Sequence, residues 1–180
     1  MIDPVHLVSR PSLGAASVYF HSSESMDEVE DGSVQLLMGP SVFLGPKAEW
    51  PDYEALYRKV YIDEGKRKLR EDGYFCVIQT DAYRDGRVTP RNCLLPPILI
   101  AAGFALIDAK VWKRRAADFF QPPFSLVWVF AHSKAKRPAA KDHGEYFQGV
   151  WDFPQTKGGE LAAYPPGLCA LLIEAFTAPG

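Results

Sequence analysis

The sequence predicts an α/β fold: a mixed sheet of parallel strands with a terminal antiparallel hairpin, flanked by helices. Three observations predict it. Two continuous apolar runs, "VQLLM" (34–38) and "YFCVIQT" (74–80), lack the alternation of half-exposed strands and read as strands buried on both faces. Between them, "YEALYRKVYIDEGKRKLRE" puts Tyr53, Leu56, Tyr57, Val60 and Tyr61 at helical spacing and leads directly into the second run, the order expected of an α/β sheet. Further on, "ALIDAKVWKR" (105–114) and "FSLVWVFAH" (124–132) are strands joined by about nine residues, which suits an antiparallel hairpin at the sheet's edge.

Taken in order, "SVYFHS" (17–22) reads as a short strand and "SMDEVEDGS" (25–33) as a short helical turn closed by Gly32. After the 34–38 strand comes a loop of Gly39, Pro40, Ser41, Phe43, Gly45 and Pro46. Asp52, just after Pro51, is the candidate N-cap of the long helix, and Asp72-Gly73 is the turn that ends it. "CLLPPILIAAGF" suggests a helix interrupted or restarted at Pro96 and Pro97 and ended by Gly103. Residues 133–149 form a polar, basic segment without periodicity, "VWDFPQ" (150–155) is a short extended piece, and "PPGLCALLIEAF" (165–176) is an apolar helix with prolines at its start.

Composition bounds what such a chain can do. With 180 residues, 47% hydrophobic and 23% charged, it suits one domain, 1–180, with a sizeable core. A formal charge of −2 exerts no global pull on polyanions, so a nucleic-acid contact requires a local basic patch. Cys76, Cys93 and Cys169 are far apart and odd in number, without zinc-ligand spacing, and read as reduced thiols rather than a disulfide or metal framework. There is no signal-like start and no membrane-length apolar run, so the expectation is a cytoplasmic protein with no membrane contact.

The blocks "DGSVQLL", "YEALYRKVYIDEGKRKLREDGYFCVIQTD", "AAGFALIDAKVWKR", "FSLVWVF.HSK", "VWDFP" and "YPPGLCALLIEAFTAPG", in that order, resemble the DNA amino-methyltransferases. These are S-adenosylmethionine-dependent enzymes that methylate N6 of adenine or N4 of cytosine. The likeness is to their permuted (β-type) class, whose catalytic motif precedes its cofactor motif. It runs from about residue 17 to the end, and its closest pieces are "RKLREDGYF" and the "YPPGLCALLIEAFTAPG" block. It implies a partial Rossmann-like methyltransferase fold.

The resemblance gives the Gly/Pro loop a purpose. A base's exocyclic amino nitrogen is a poor nucleophile, so the enzyme flips the base out, stacks it on a ring and places acceptors on its amino hydrogens. In the family the loop after the fourth strand does this with an Asp, Asn or Ser, then Pro-Pro and an aromatic residue. Without a gap, Pro40 falls at the acceptor position, Ser41 and Val42 where the prolines belong, and Phe43 at the aromatic position. Slid by one, Pro40 is the first proline, Gly39 the acceptor and Val42 the aromatic. Neither register supplies a side-chain acceptor. Ser41 and Phe43 retain at most a place for a base; otherwise Ser41 caps a turn and Phe43 packs in the core.

Other positions depart from the family too. Its "FTxPG" block leads into a glycine-rich strand that cradles S-adenosylmethionine, whereas this sequence stops at Gly180, so the expectation is no cofactor alone and S-adenosylmethionine only if a partner chain completes the site. The Asp after the family's opening strand is replaced by His21, Ser22 and Ser23, and the His before "YPP" by Glu160. "QPPF" (121–124) imitates a catalytic loop with Gln121 as acceptor, but it lies between the hairpin strands and reads as prolines entering an edge.

Candidate DNA contacts lie in and beside the short basic loop at 133–149, where the family carries its target-recognition region. They are Lys110, Lys113, Arg114, Arg115, Lys134, Lys136, Arg137 and Lys141, interleaved with Trp112, Trp128 and His132. The alternative is a solvated basic face with its aromatics in the sheet. Asp142, His143 and Glu145 read as polar loop residues. With the family's first strand missing, the 34–38 strand becomes a bare edge, to be covered by 17–22, by a second copy or by another chain. Two functions follow: a pseudoenzyme that binds DNA or a protein partner, or the substrate-binding half of a split methyltransferase. An unrelated nucleotide-binding protein is disfavoured because no phosphate-binding glycine motif is present.

Overall fold

The computed structural model describes residues 23–40, 48–84, 87–113, 124–136, 148–153 and 164–177. The expectations placed on 17–22, Ser41, Phe43, Arg114, Arg115, Gln121, Arg137, Lys141, Asp142, His143, Glu145 and Glu160 lie outside them.

Strand β1 (Val34–Pro40) pairs in parallel with β2 (Leu69–Gln79). The antiparallel hairpin β5 (Ala105–Lys113) and β6 (Phe124–Ala131) follows, with β6 inserted against β2. Strand β7 (Val150–Trp151) adds in parallel to β5, giving the order β1-β2-β6-β5-β7. The sheet is therefore mixed, as expected, but the two-residue β7 rather than the hairpin makes its far edge. Strand β1 forms the other edge among the described residues. Its residues 34–38 are half-buried, yet both faces meet a core: Leu36 and Met38 pack against one cluster, Val34 and Leu37 against the other. Strand β2 is the more deeply buried of the two, with Phe75 to Gln79 all at 3% exposure or less.

Helix α1 (Trp50–Tyr57) starts two residues before the expected cap. Glu49 is the N-cap, and Asp52 sits at the third helical position, accepting from the Glu49 backbone N–H at 2.9 Å. The helical path continues through a π-type segment, Arg58–Gly65, into the short α2 (Lys66–Lys68). The buried side chains recur every fourth residue: Tyr53, Tyr57, Tyr61 and then Leu69 two steps on. On a regular α-helix such a repeat drifts by about 40° per step. The wider turn absorbs that drift and keeps Tyr57 and Tyr61 stacked at 5.3 Å.

The expected turn at Asp72-Gly73 is instead a bulge inside β2, which begins at Leu69. Val34 pairs with Leu69, yet Leu36 already pairs with Tyr74, so extra residues of β2 loop out between them. Gly73 permits it: a Cβ there would stand 2.9 Å from the Arg70 carbonyl oxygen and 3.0 Å from that of Val34. Residues 23–33 form tight turns rather than a helical one, with Gly32 at φ 68°. A small ribbon, β3 (Ala82–Arg84) and β4 (Arg87–Thr89), is an element the sequence reading lacked. Helix α3 (Arg91–Ala101) runs through Pro96 and Pro97 without a break and ends at Gly103, φ 91°. Helix α4 (Pro166–Phe176) closes the described chain.

Strand β2 alternates between two cores. Phe75 and Val77 join Tyr53, Tyr57, Tyr61, Leu95, Leu99 and Phe104 on the α1/α3 face. Cys76 and Ile78 join Trp112, Trp151, Leu168 and Leu172 on the α4 face. Cys76 is fully buried, and Cys93 and Cys169 are likewise unbridged. No helix among the described residues is long and apolar enough to cross a membrane.

Candidate functional site

In open α/β sheets ligands gather at the carboxyl ends of the parallel strands. Here those ends are Gly39-Pro40 of β1 and Gln79 of β2, with Pro40 in register with Ile78. Gly39 is closed to any side chain. A Cβ on it would lie 2.8 Å from both Oη and Cε1 of Tyr61, whose ring is packed between Tyr57 at 5.3 Å and Phe75 at 4.8 Å. Of the two registers for the acceptor, one therefore falls on a glycine that cannot be replaced without displacing this stack. The other falls on Pro40, which has no polar side-chain atom.

Beside them lies a buried polar group that sequence reasoning missed. Gln79 is fully buried; its Oε1 accepts from Tyr57 Oη at 3.3 Å, while its Nε2 has no partner among the described residues. Asp81 Oδ1 accepts from the Asn92 backbone N–H at 2.8 Å, which binds the start of α3 to the end of β2. The Asn92 side-chain Oδ1 and the Arg91 Nε, both on nearly buried residues, have no described partner either. The Arg91 guanidinium lies 3.8 Å from the centroid of the Tyr53 ring. Thr80 and Ser125 share a hydroxyl contact of 2.6 Å at the same end. A buried hydrogen bond that neither protein nor water makes costs about 1–3 kcal/mol, so these groups call for water or a ligand, as does Trp128 Nε1 on the neighbouring strand β6. The legible signal was slight: a Gln ending an otherwise apolar strand, and "RN" opening a helix.

Chemically, these residues offer amide and guanidinium donors, the Asp81 carboxylate and the Thr80 and Ser125 hydroxyls. Burial pushes the Cys76 thiol and the Tyr61 phenol up, so both stay protonated. No cluster among the described residues has the makings of a metal site.

The basic residues singled out from the sequence are not brought together. Lys110 is buried and paired with Asp108 at 3.1 Å; Lys113, exposed, pairs with Asp152 at 3.1 Å. Lys113 opposes Phe124, whereas Lys134 and Lys136 follow Ala131, at the far end of the same strand. Seven residue steps of β6 separate the two ends by about 24 Å. Lys134 is bound to Glu71, and the Lys136 carbonyl accepts from Tyr74 Oη. Trp112 and Trp128 pack in the two cores, and His132 lies edge-on to Phe104.

No family model and no curated protein matches the chain. Solved structures do. The PvuII DNA methyltransferase, specific for cytosine N4, superposes with a TM-score of 0.75 at 17% identity, over 89% of this chain and 70% of that one. TTHA0409, a candidate DNA modification methylase of Thermus thermophilus, gives a TM-score of 0.69 at 16% identity, over 86% of this chain and 72% of its own. Its complex with S-adenosyl-L-methionine gives 0.67 at 17% identity. At this identity the likeness is one of fold: the chain has a mixed-sheet, partial Rossmann-like methyltransferase fold.

Proposed function

We propose that this protein is a DNA amino-methyltransferase-like pseudoenzyme that binds DNA and does not transfer methyl groups alone. One observation carries the reading. At the end of β1, where the resemblance expects an Asp, Asn or Ser, stand Gly39 and Pro40, and the space beside Gly39 is filled by Tyr61. Losing one preorganised acceptor lowers such rates by about two to three orders of magnitude. The fold's neighbours support DNA as the ligand, and the unpartnered polar groups at the carboxyl end support a retained binding site. Of the sequence-read basic set, Lys113 is the described residue that reaches this end.

A second reading, the substrate-binding half of a split methyltransferase, is favoured by one feature. Strand β1 carries no pairing on its outer side among the described residues, which suits a strand from another chain, a second copy or a cofactor-bearing partner.

The test is transfer of a labelled methyl group from S-adenosylmethionine to duplex DNA, run beside a DNA-binding titration and a calorimetric titration with the cofactor. The pseudoenzyme reading expects binding of the duplex, no label on the DNA and no cofactor heat. Label at adenine N6 or cytosine N4 with the protein alone would overturn it. Transfer only in the presence of a second polypeptide would establish the split enzyme.

A further inference from the structure

We infer that the open edge of β1 and the adjoining flank of α4 form one surface that pairs with the same surface of a second copy of this chain, β1 antiparallel to β1 across a twofold axis. The inference goes beyond the reading of function and holds whether or not the chain binds DNA. It commits the edge to a second copy, and so stands against a cofactor-bearing partner at that place.

The apolar side chains of β1 pack into both cores, yet each residue from Val34 to Met38 keeps part of its surface. Phe75 to Gln79 of β2, a strand paired on both sides, keep almost none. The difference lies at the outer edge, where among the described residues no strand meets the β1 main chain. The usual guards of an edge are missing as well: VQLLMGP has no charged residue, and its one proline is its last. Helix α4 lies over this strand, with Leu36 and Met38 packed against its buried face, and its two flanks differ. Gly167 marks the flank toward β7, since a Cβ there would meet the Phe153 ring at 3.1 Å. At about 100° per residue, Glu174, the one charged residue of the helix, falls about 20° from Gly167 around the axis. Phe176 falls about 180° away and meets Tyr74 of β2 at 4.7 Å between ring centroids. Cys169 and Ile173, about 160° and 120° from Gly167, therefore look past β2 toward the β1 edge. Ile173 is 48% exposed and Cys169 partly so.

The chemistry of this surface specifies its occupant. A row of backbone N–H and C=O groups is met by another strand. That strand must be uncharged on both faces, because its side chains continue two apolar cores, and an apolar element must lie beside it to cover Ile173. Strand β1 with its own α4 flank meets each requirement. Identical patches close about a twofold axis. An axis normal to the sheet runs β1 antiparallel to its copy, the more stable pairing per residue. It also sets α4 beside its copy on the same face of the sheet, with Cys169 and Ile173 turned inward and Glu174 turned away.

The experiment is sedimentation velocity on the whole chain over a micromolar concentration series, joined to hydrogen exchange of residues 34–40. The parent is expected to sediment as a dimer with the outward amides of β1 protected. Ile173→Lys and Gln35→Lys each place a charge on the surface and should raise the dimer dissociation constant by about tenfold or more. Both should keep the circular dichroism of the parent, and the outward β1 amides should exchange freely in the Ile173→Lys monomer. Ile100→Lys changes an equally exposed isoleucine, 49%, on α3 across the sheet, and as the control it should dimerise like the parent. A parent that is monomeric throughout the series would overturn the inference. So would a dimer that Ile100→Lys dissociates and Ile173→Lys does not, or an assembly that grows past the dimer. Outward β1 amides that stay protected in the monomer would mean that the chain covers its own edge, and would overturn it too.

Discussion

The two ends of the sheet treat their polar groups in opposite ways. At the amino end of β1 and β2, Lys68 is buried yet donates to Asp31 at 2.7 Å and to the Val29 carbonyl. Arg67 bridges Asp31 and Glu64, Glu64 in turn accepts from the Met26 backbone N–H, and Lys66 donates to the Ala102 carbonyl at 2.6 Å. Lys134 is tied to Glu71, and their backbones are bonded as well. At the carboxyl end, Gln79 Nε2, Arg91 Nε and Asn92 Oδ1 are buried without partners among the described residues. The first arrangement stabilises the native state. The second costs it hydrogen bonds wherever water or a ligand does not meet these groups.

This contrast breaks most visibly through Lys68. Lys68→Ala removes a nearly buried ammonium and leaves the Val29 carbonyl unmet beside a carboxylate that has lost one of its two cations. A loss of about 2–4 kcal/mol is expected, read as a lower midpoint in urea with an unchanged slope. A change under half a kilocalorie would mean that solvent screens this end too, and the contrast would fail.

The carboxyl end should behave differently. Gln79→Leu removes an unmet donor at the cost of one 3.3 Å hydrogen bond from Tyr57, so stability should move by less than about 1 kcal/mol, in either direction. DNA binding, by contrast, should weaken. A Gln79→Leu protein that is strongly destabilised would mean that the amide serves the fold, and the proposed division between the two ends would be wrong.

The same contrast explains what the sequence could tell. Strand β2 was legible because both of its faces meet apolar cores, and the run "YFCVIQ" has no reason to alternate. Its true start at Leu69 was hidden, because Asp72-Gly73 looks the same in a bulge as in a turn and only the register with Val34 distinguishes them. The long helix was legible from its tyrosines, but their four-residue repeat is read as ordinary helix unless the drift is counted. The amino-end network was invisible because Asp31 meets Lys68 across 37 residues. The basic set failed for a topological reason. Lys110 to Lys141 are close in sequence, but an antiparallel hairpin carries Lys113 and Lys134 to opposite ends. Gln79, Arg91 and Asn92 are ordinary residues in sequence; burial without partners is what marks them, and burial is a property of the packed chain.

The smallest expected effect concerns pH. Hydrogen bonds from Lys68 and then Arg67 hold the Asp31 carboxyl below its ordinary 3.8, and the Arg67 guanidinium with the Met26 N–H holds Glu64 below its ordinary 4.5. A carboxyl depressed in the folded state binds protons more readily when unfolded. Its contribution to stability is therefore fully present above the unfolded value and is lost as pH falls through the folded one. Asp31→Asn should melt below the parent at neutral pH, with a gap that narrows as pH drops below about 4 and, because Asp31 and Arg67 reach solvent although Lys68 does not, in part as salt is raised. Thermal melts across that range decide it. A gap that stays constant with pH would mean that Asp31 acts through the shape of the turn before β1 rather than through its charge, and the ionic character assigned to the amino end would have to rest on Lys68 alone.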